Sequence, residues 1–224
     1  MEKNLTDPKR SKDAPTPKDV RDRLECEFER LIIDLSFCRE FLSRDYLLAE
    51  NANPHDQSVL SASWIYKSCE ECAFSNVARL WVDKADEITF CMVKRDFEQV
   101  IGDGPKRSAR FVETWDKTYD ELHSSDVKGD LAVYRDEEIG HNLIDSRMRN
   151  RIGRLRDLGQ PGARGYTAKV GEVLDFCKNT AEFLFLTKCA FDSSASSFDS
   201  WQEQFTTTFK NHRRIHGALL DKLK

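Results

Sequence analysis

Apolar residues in this chain return at steps of three and four, and no stretch alternates convincingly in the period of two that a half-buried strand requires. From Val20 the series Val20, Leu24, Phe28, Leu31, Leu35, Cys38, Leu42 holds one stripe for six turns. A second series, Leu60, Trp64, Ile65, Cys72, Val77, Leu80, Trp81, supplies the apolar surface of a helix expected over 58–82. Further helices are expected over 88–100, 107–123 (Phe111, Trp115, Tyr119, Leu122), 127–144, 167–191 (Val170, Val173, Leu174, Cys177, Ala181, Leu184, Phe185) and 198–223. A chain patterned in this way buries its stripes by packing helix on helix, so the expectation is an all-α, up-and-down bundle.

The punctuation agrees with that pattern. Asn51-Ala-Asn-Pro54, Gly102-Asp-Gly104-Pro105, the glycine-rich 159–165 and the serine cluster 193–197 all fall between helical stretches. Residues 1–17 are polar and hold three of the six prolines, which reads as a disordered lead-in to a single domain over 18–224. No apolar core of a secretory leader stands at the start, and no run of roughly 18 apolar residues offers a membrane span. A cytoplasmic location is therefore the expectation.

Seven cysteines, an odd number set at mostly apolar helical positions, suit reduced and buried thiols better than a disulfide framework. The formal net charge of −4 argues against a dedicated duplex-DNA binder but permits a small basic cleft on an acidic body.

The chemistry concentrates in Tyr134-Arg135-Asp136-Glu137-Glu138-Ile139-Gly140-His141-Asn142. Arginine is a fixed cation with a planar fork of donors suited to phosphate, and histidine exchanges a proton near neutral pH. An alternative is a solvated, charged helix face. Six residues at about 100° each place Arg135 and His141 about 120° apart on a straight helix, so they do not share a face. Convergence requires a local distortion, the long reach of arginine, or a second copy of the motif from a partner chain. Gly140 permits close approach of another backbone at that point.

Tyr-Arg-Asp-x-x-Ile-Gly-His-Asn resembles the Arg-x(4–6)-His motif of the HEPN superfamily, in which the residue after the arginine is typically Asn, Asp or His. The surroundings look most like the abortive-infection, AbiU-like branch. An upstream segment, Val77-Ala78-Arg79-Leu80-Trp81-Val82-Asp83 followed by Ile88-Thr89-Phe90, resembles that branch's Ala-Arg-Leu-x-Asp and Ile-Ser-Leu stretch. The likeness spans about residues 20–190; Gly140 stands where those members usually have Ala, and Glu137 and Glu138 bring negative charge to the motif.

The resemblance implies a helical bundle that dimerises with the two motifs meeting in one cleft. It further implies metal-independent endoribonuclease activity with no cofactor, in bacterial defence or a toxin–antitoxin pair. His141 would then exchange protons with the 2′-hydroxyl or the leaving oxygen, Arg135 would hold the scissile phosphate, and Asp136 would orient one of them. The alternative within the same likeness is a non-catalytic module that binds RNA, a nucleotide or a partner protein.

Just beyond, Arg147-Met-Arg-Asn-Arg-Ile-Gly-Arg-Leu-Arg156 places five arginines in ten residues. Arg147, Arg149, Arg151 and Arg154 are candidates for the RNA backbone, or they pair with the many acidic residues. Tyr134 is a candidate to stack on a base, or a core side chain. Cys69-Glu-Glu-Cys72 lacks the second ligand pair of a zinc site and reads as a helix face. His212-Arg213-Arg214-Ile215-His216 reads as a polar tail or a dimer contact, and His55 and His123 as loop and helix-end residues. The 159–165 loop lacks the Lys and Ser/Thr of a phosphate-binding loop.

Overall fold

In the computed structural model the described residues are 15–44, 57–81, 88–101, 108–134, 170–191 and 200–222. They form eight helices and no strand: α1 (Pro17–Leu42), α2 (Gln57–Trp81), α3 (Phe90–Arg95), α4 (Phe97–Ile101), α5 (Ala109–His123), α6 (Asp126–Tyr134), α7 (Val170–Phe191) and α8 (Trp201–Asp221). Among these residues no helix is long and apolar enough to cross a membrane.

Local chemistry sets the helix starts. The Thr16 hydroxyl accepts from the Asp19 backbone N–H at 3.2 Å, and the Asp19 carboxylate accepts from the Thr16 N–H at 2.8 Å. With Pro17 at the first helical position this is a full capping box, so Thr16 and Pro17 belong to the helix start and not to a lead-in. Thr89 caps α3 through the Met92 N–H at 3.2 Å, and Ser108 caps α5 through the Phe111 N–H at 3.1 Å. The single helix expected over 88–100 is two, because Asp96 leaves the helical conformation at φ −101°, ψ 24°.

α1 is the central element and packs along α2, α7 and α8. Its expected stripe is buried from Val20 through Cys38, and the stripe also carries Glu27. α7 is the second spine. Two tryptophan N–H groups land on it one heptad apart: Trp81 donates to Thr180 Oγ1 at 3.1 Å and Trp115 to Thr187 Oγ1 at 3.0 Å. Phe183, fully buried between them, lies 6.1 Å from the Trp81 ring and 5.0 Å from that of Trp115. The pairings Trp115–Thr187 and Tyr119–Phe183 run α5 antiparallel to α7. Burying side chains of this size stabilises by about 1.5–3 kcal/mol each before entropy is counted. A smaller cluster of Phe37, Phe41, Ala62 and Leu220 closes the far end of α1 against α2 and α8.

Two expectations change. Trp64 and Ile65 stand on α2 at 73% and 46% exposure and are not core. The cysteines divide: Cys38, Cys177 and Cys189 are buried, Cys69 and Cys91 half-buried, Cys26 and Cys72 exposed, and all are free thiols.

Candidate functional site

α6 carries the chain to the motif. It is anchored by Leu131, buried against the core, and packs on α2 and α7. Its last residue is Tyr134, and Arg135 follows directly in sequence. The geometry of Arg135, Asp136 and His141, and that of Arg147, Arg149, Arg151 and Arg154, lies outside the described residues, as does the Tyr134 side chain.

Of the upstream segment, residues 77–81 and 88–90 are described, while Val82 and Asp83 lie outside the described residues, and its arginine has a definite job. Arg79, at the end of α2, donates through Nη2 to Glu27 Oε1 at 2.6 Å and to Asn76 Oδ1 at 3.3 Å. Arg23 reaches the same carboxylate oxygen at 2.6 Å from one turn back on α1. Glu27 is 1% exposed, and its second oxygen is buried without a hydrogen-bond partner. Two guanidinium groups thus hold one buried carboxylate at the α1–α2 seam, which ties the end of α2 to the bundle's central helix. Sequence pattern did not single out Glu27, although a glutamate inside an apolar stripe with an arginine four residues earlier is the signal that would find it.

Seven residues further along α1, Asp34 sits against the other half of α2. Its carboxyl is hydrogen-bonded to the Cys69 thiol, and burial raises its pKa to about 6 against the pull of Cys69 and Arg30. Burial, reinforced by Asp34, pushes the Cys69 thiol up to about 12, and Cys38 and Cys72 are likewise raised, burial first. These are thiols rather than thiolates at neutral pH, which leaves them poor nucleophiles and poor ligands. Among the described residues no group of three or more His, Cys, Asp or Glu side chains is arranged to hold a metal ion.

Two of the described histidines, His123 and His216, pack against aromatic rings. His123 stacks on Tyr119 with ring centroids 5.3 Å apart, and burial, helped by Lys128, lowers its pKa. His216 sets its ring edge against Phe37 at 5.4 Å, where α8 meets α1; burial, then His212, holds its pKa below the ordinary value. Arg213 of the same sequence cluster pairs with Glu40 at 3.1 Å, so this cluster helps fasten α8 to α1. His55 lies outside the described residues.

An open groove lies between α5 and α7, closed at its ends by the α5–α6 turn and the start of α8, with a volume of about 600 Å³. Four carboxylates and one ammonium line it. Compared with known protein families, curated proteins and solved structures, the chain matches none of them.

Proposed function

We propose that this protein is a HEPN-like, metal-independent endoribonuclease of a bacterial defence or toxin system, acting as a homodimer. The observation that carries the reading is the position of Arg135-Asp136-x4-His141, immediately after the last residue of an anchored helix in an all-α bundle. The all-helical architecture suits it.

In the reaction His141 takes the proton of a 2′-hydroxyl as that oxygen attacks the adjacent phosphorus. The P–O5′ bond breaks, the leaving 5′-oxygen takes the proton from the His141 imidazolium, and a 2′,3′-cyclic phosphate remains. Arg135 holds the phosphate oxygens as charge builds, and Asp136 orients the arginine or the imidazole. Arg147, Arg149, Arg151 and Arg154 gather the RNA strand, and Tyr134 stacks on a base. The site draws on both copies of the motif across a dimer cleft, as the HEPN resemblance implies.

Purified full-length protein is expected to cleave single-stranded RNA in the presence of EDTA, with His141→Ala and Arg135→Ala each losing about 10²-fold or more. Cleavage that persists in both variants removes the site assignment. Glu137 and Glu138, negative charges next to a phosphate site, favour a second reading: a module that binds RNA or a partner without cutting. Retained RNA binding with no cyclic-phosphate product would select it.

A further inference from the structure

The second half of α8 meets the end of α1 along a seam with a charged edge and an apolar one. On the charged edge Glu40 accepts from Arg213 Nε at 3.1 Å and from Arg44 Nη2 at 3.2 Å. Arg44 also donates to the Gly217 carbonyl at 2.9 Å and pairs with Asp221. On the apolar edge Leu220 joins Phe37, Phe41 and Ala62.

Half-buried His216 belongs to the same seam. Its ring meets that of Phe37 with centroids 5.4 Å apart and planes at 80°. Both ring nitrogens are shielded from solvent, and neither has a hydrogen-bond partner among the described residues. The Ile33 carbonyl favours the charged form, but from outside hydrogen-bond geometry. A neutral imidazole leaves one N–H and one lone pair unmatched there; an imidazolium leaves two N–H groups and a charge. The Phe37 ring offers the attraction of an aromatic face but no lone pair. Such surroundings hold the neutral ring better than the charged one.

The neighbouring charges do not reverse that preference. α8 itself brings His212 and Arg213, and α1 brings Glu40, which two guanidinium groups already hold. From α2, Tyr66 and Cys69 pack on the adjoining cluster, and burial keeps both neutral throughout the acid range. Behind Tyr66, Glu70 is taken up by the Tyr66 hydroxyl at 2.6 Å and by Lys67. α7 meets α8 at its other end, through Phe185 and Phe205.

We propose that His216 is the trigger of an acid-opened latch, whose protonation frees the second half of α8 from α1 and uncovers Phe37, Phe41 and Leu220. Burial, then His212, holds the imidazole below its ordinary value of 6.5, so the closed seam favours the neutral ring. The stability it lends is full above about pH 6.5 and declines as pH falls toward the folded value. The latch rests on no residue of the ribonuclease motif.

Peptide-resolved hydrogen–deuterium exchange on the full chain, corrected for the pH dependence of intrinsic exchange, reads the opening of residues 212–222. Between pH 7.5 and 5.0 the opening constant is expected to rise about fivefold or more. Its ceiling is about 30-fold, since pH 5.0 lies about 1.5 units below the ordinary imidazole value. The stretch of α7 around Phe183 should change less than about twofold. His216→Phe keeps a ring and removes the titration, so the rise should vanish while protection at pH 7.5 is retained. His216→Leu supplies the same reading where the larger ring does not fit.

A rise that survives both substitutions assigns the acid response to Glu40 or His212 and overturns the proposal. A wild type whose opening does not change with pH overturns it as well, as does equal opening around Phe183, which is general acid unfolding. Variants already open at pH 7.5 would show that the imidazole clamps the seam rather than releases it, and would overturn it too.

Discussion

Glu27 and Asp34 occupy the same face of α1, one heptad apart, and both press against α2, yet their surroundings oppose each other. Glu27 is sealed off from water and held by two arginines; Asp34 is hydrogen-bonded by the Cys69 thiol, with Arg30 acting on it through its charge. The difference originates on α2. Arg79 stands level with Glu27, and seven residues back the same helix offers Cys72, with Cys69 beside it. A buried carboxylate is tolerable when the facing helix supplies a guanidinium at its level. Where that position is a cysteine, the carboxyl keeps its proton to higher pH.

The largest test of this contrast is Arg79→Met. Breaking a buried ion pair by removing one partner costs about 3–5 kcal/mol; Arg23 remains on Glu27, so about 2–3 kcal/mol is expected from urea unfolding. The double substitution Glu27→Leu/Arg79→Met should recover most of that loss, because the residual unpaired charge disappears with it. A loss below about 0.5 kcal/mol in the single variant would show that Glu27 is held by Arg23 alone, and the contrast with Asp34 would collapse.

Most of the helix plan was readable because steps of three and four are enforced by the core, and because proline, glycine and serine clusters stand where the helices end. α1, α2, α5 and α7 fall within a few residues of expectation for that reason. Glu27 escaped because a scan for apolar letters passes over a charged residue in a core position. Trp64 was misplaced because size was read as burial: it lies about 200° around α2 from fully buried Ala62, on the opposite face. The break at Asp96 follows from one residue's dihedral angles, which periodicity does not encode. The candidate site was legible only as chemistry. Whether Arg135 and His141 converge depends on what packs across from them, and a single chain's pattern carries no record of a second subunit.

The next test sharpens the Asp34 half of the comparison. Its folded pKa, about 6, is raised above the unfolded value near 3.8, so the protonated carboxyl is the form the fold favours. That contribution is fully present below about pH 4 and is lost as pH rises through 6. Asp34→Asn should therefore leave stability unchanged near pH 4 and raise it at pH 8. A gain of about 1 kcal/mol is expected, since a side chain this solvated realises a fraction of its nominal shift; that is about 2–4 °C in Tm. A gain equal at both pH values would assign the effect to packing instead.

The smallest effect comes from the thiol that answers Asp34. The Cys69 hydrogen bond lowers the Asp34 pKa, opposing the burial that raises it. Cys69→Ala removes that donor without adding a charge, so the Asp34 pKa should move upward from about 6, by a few tenths to one unit, seen as a shifted midpoint in the carboxyl carbon resonance. The same substitution in an Asp34→Asn background should cost only the small packing loss of a sulfur, with no pH dependence between 4 and 8. A midpoint that stays put or moves down would mean that solvent, and not Cys69, supplies the bond. Asp34 would then be an ordinary half-exposed carboxylate, and the facing-residue account of the α1–α2 seam would hold for Glu27 only.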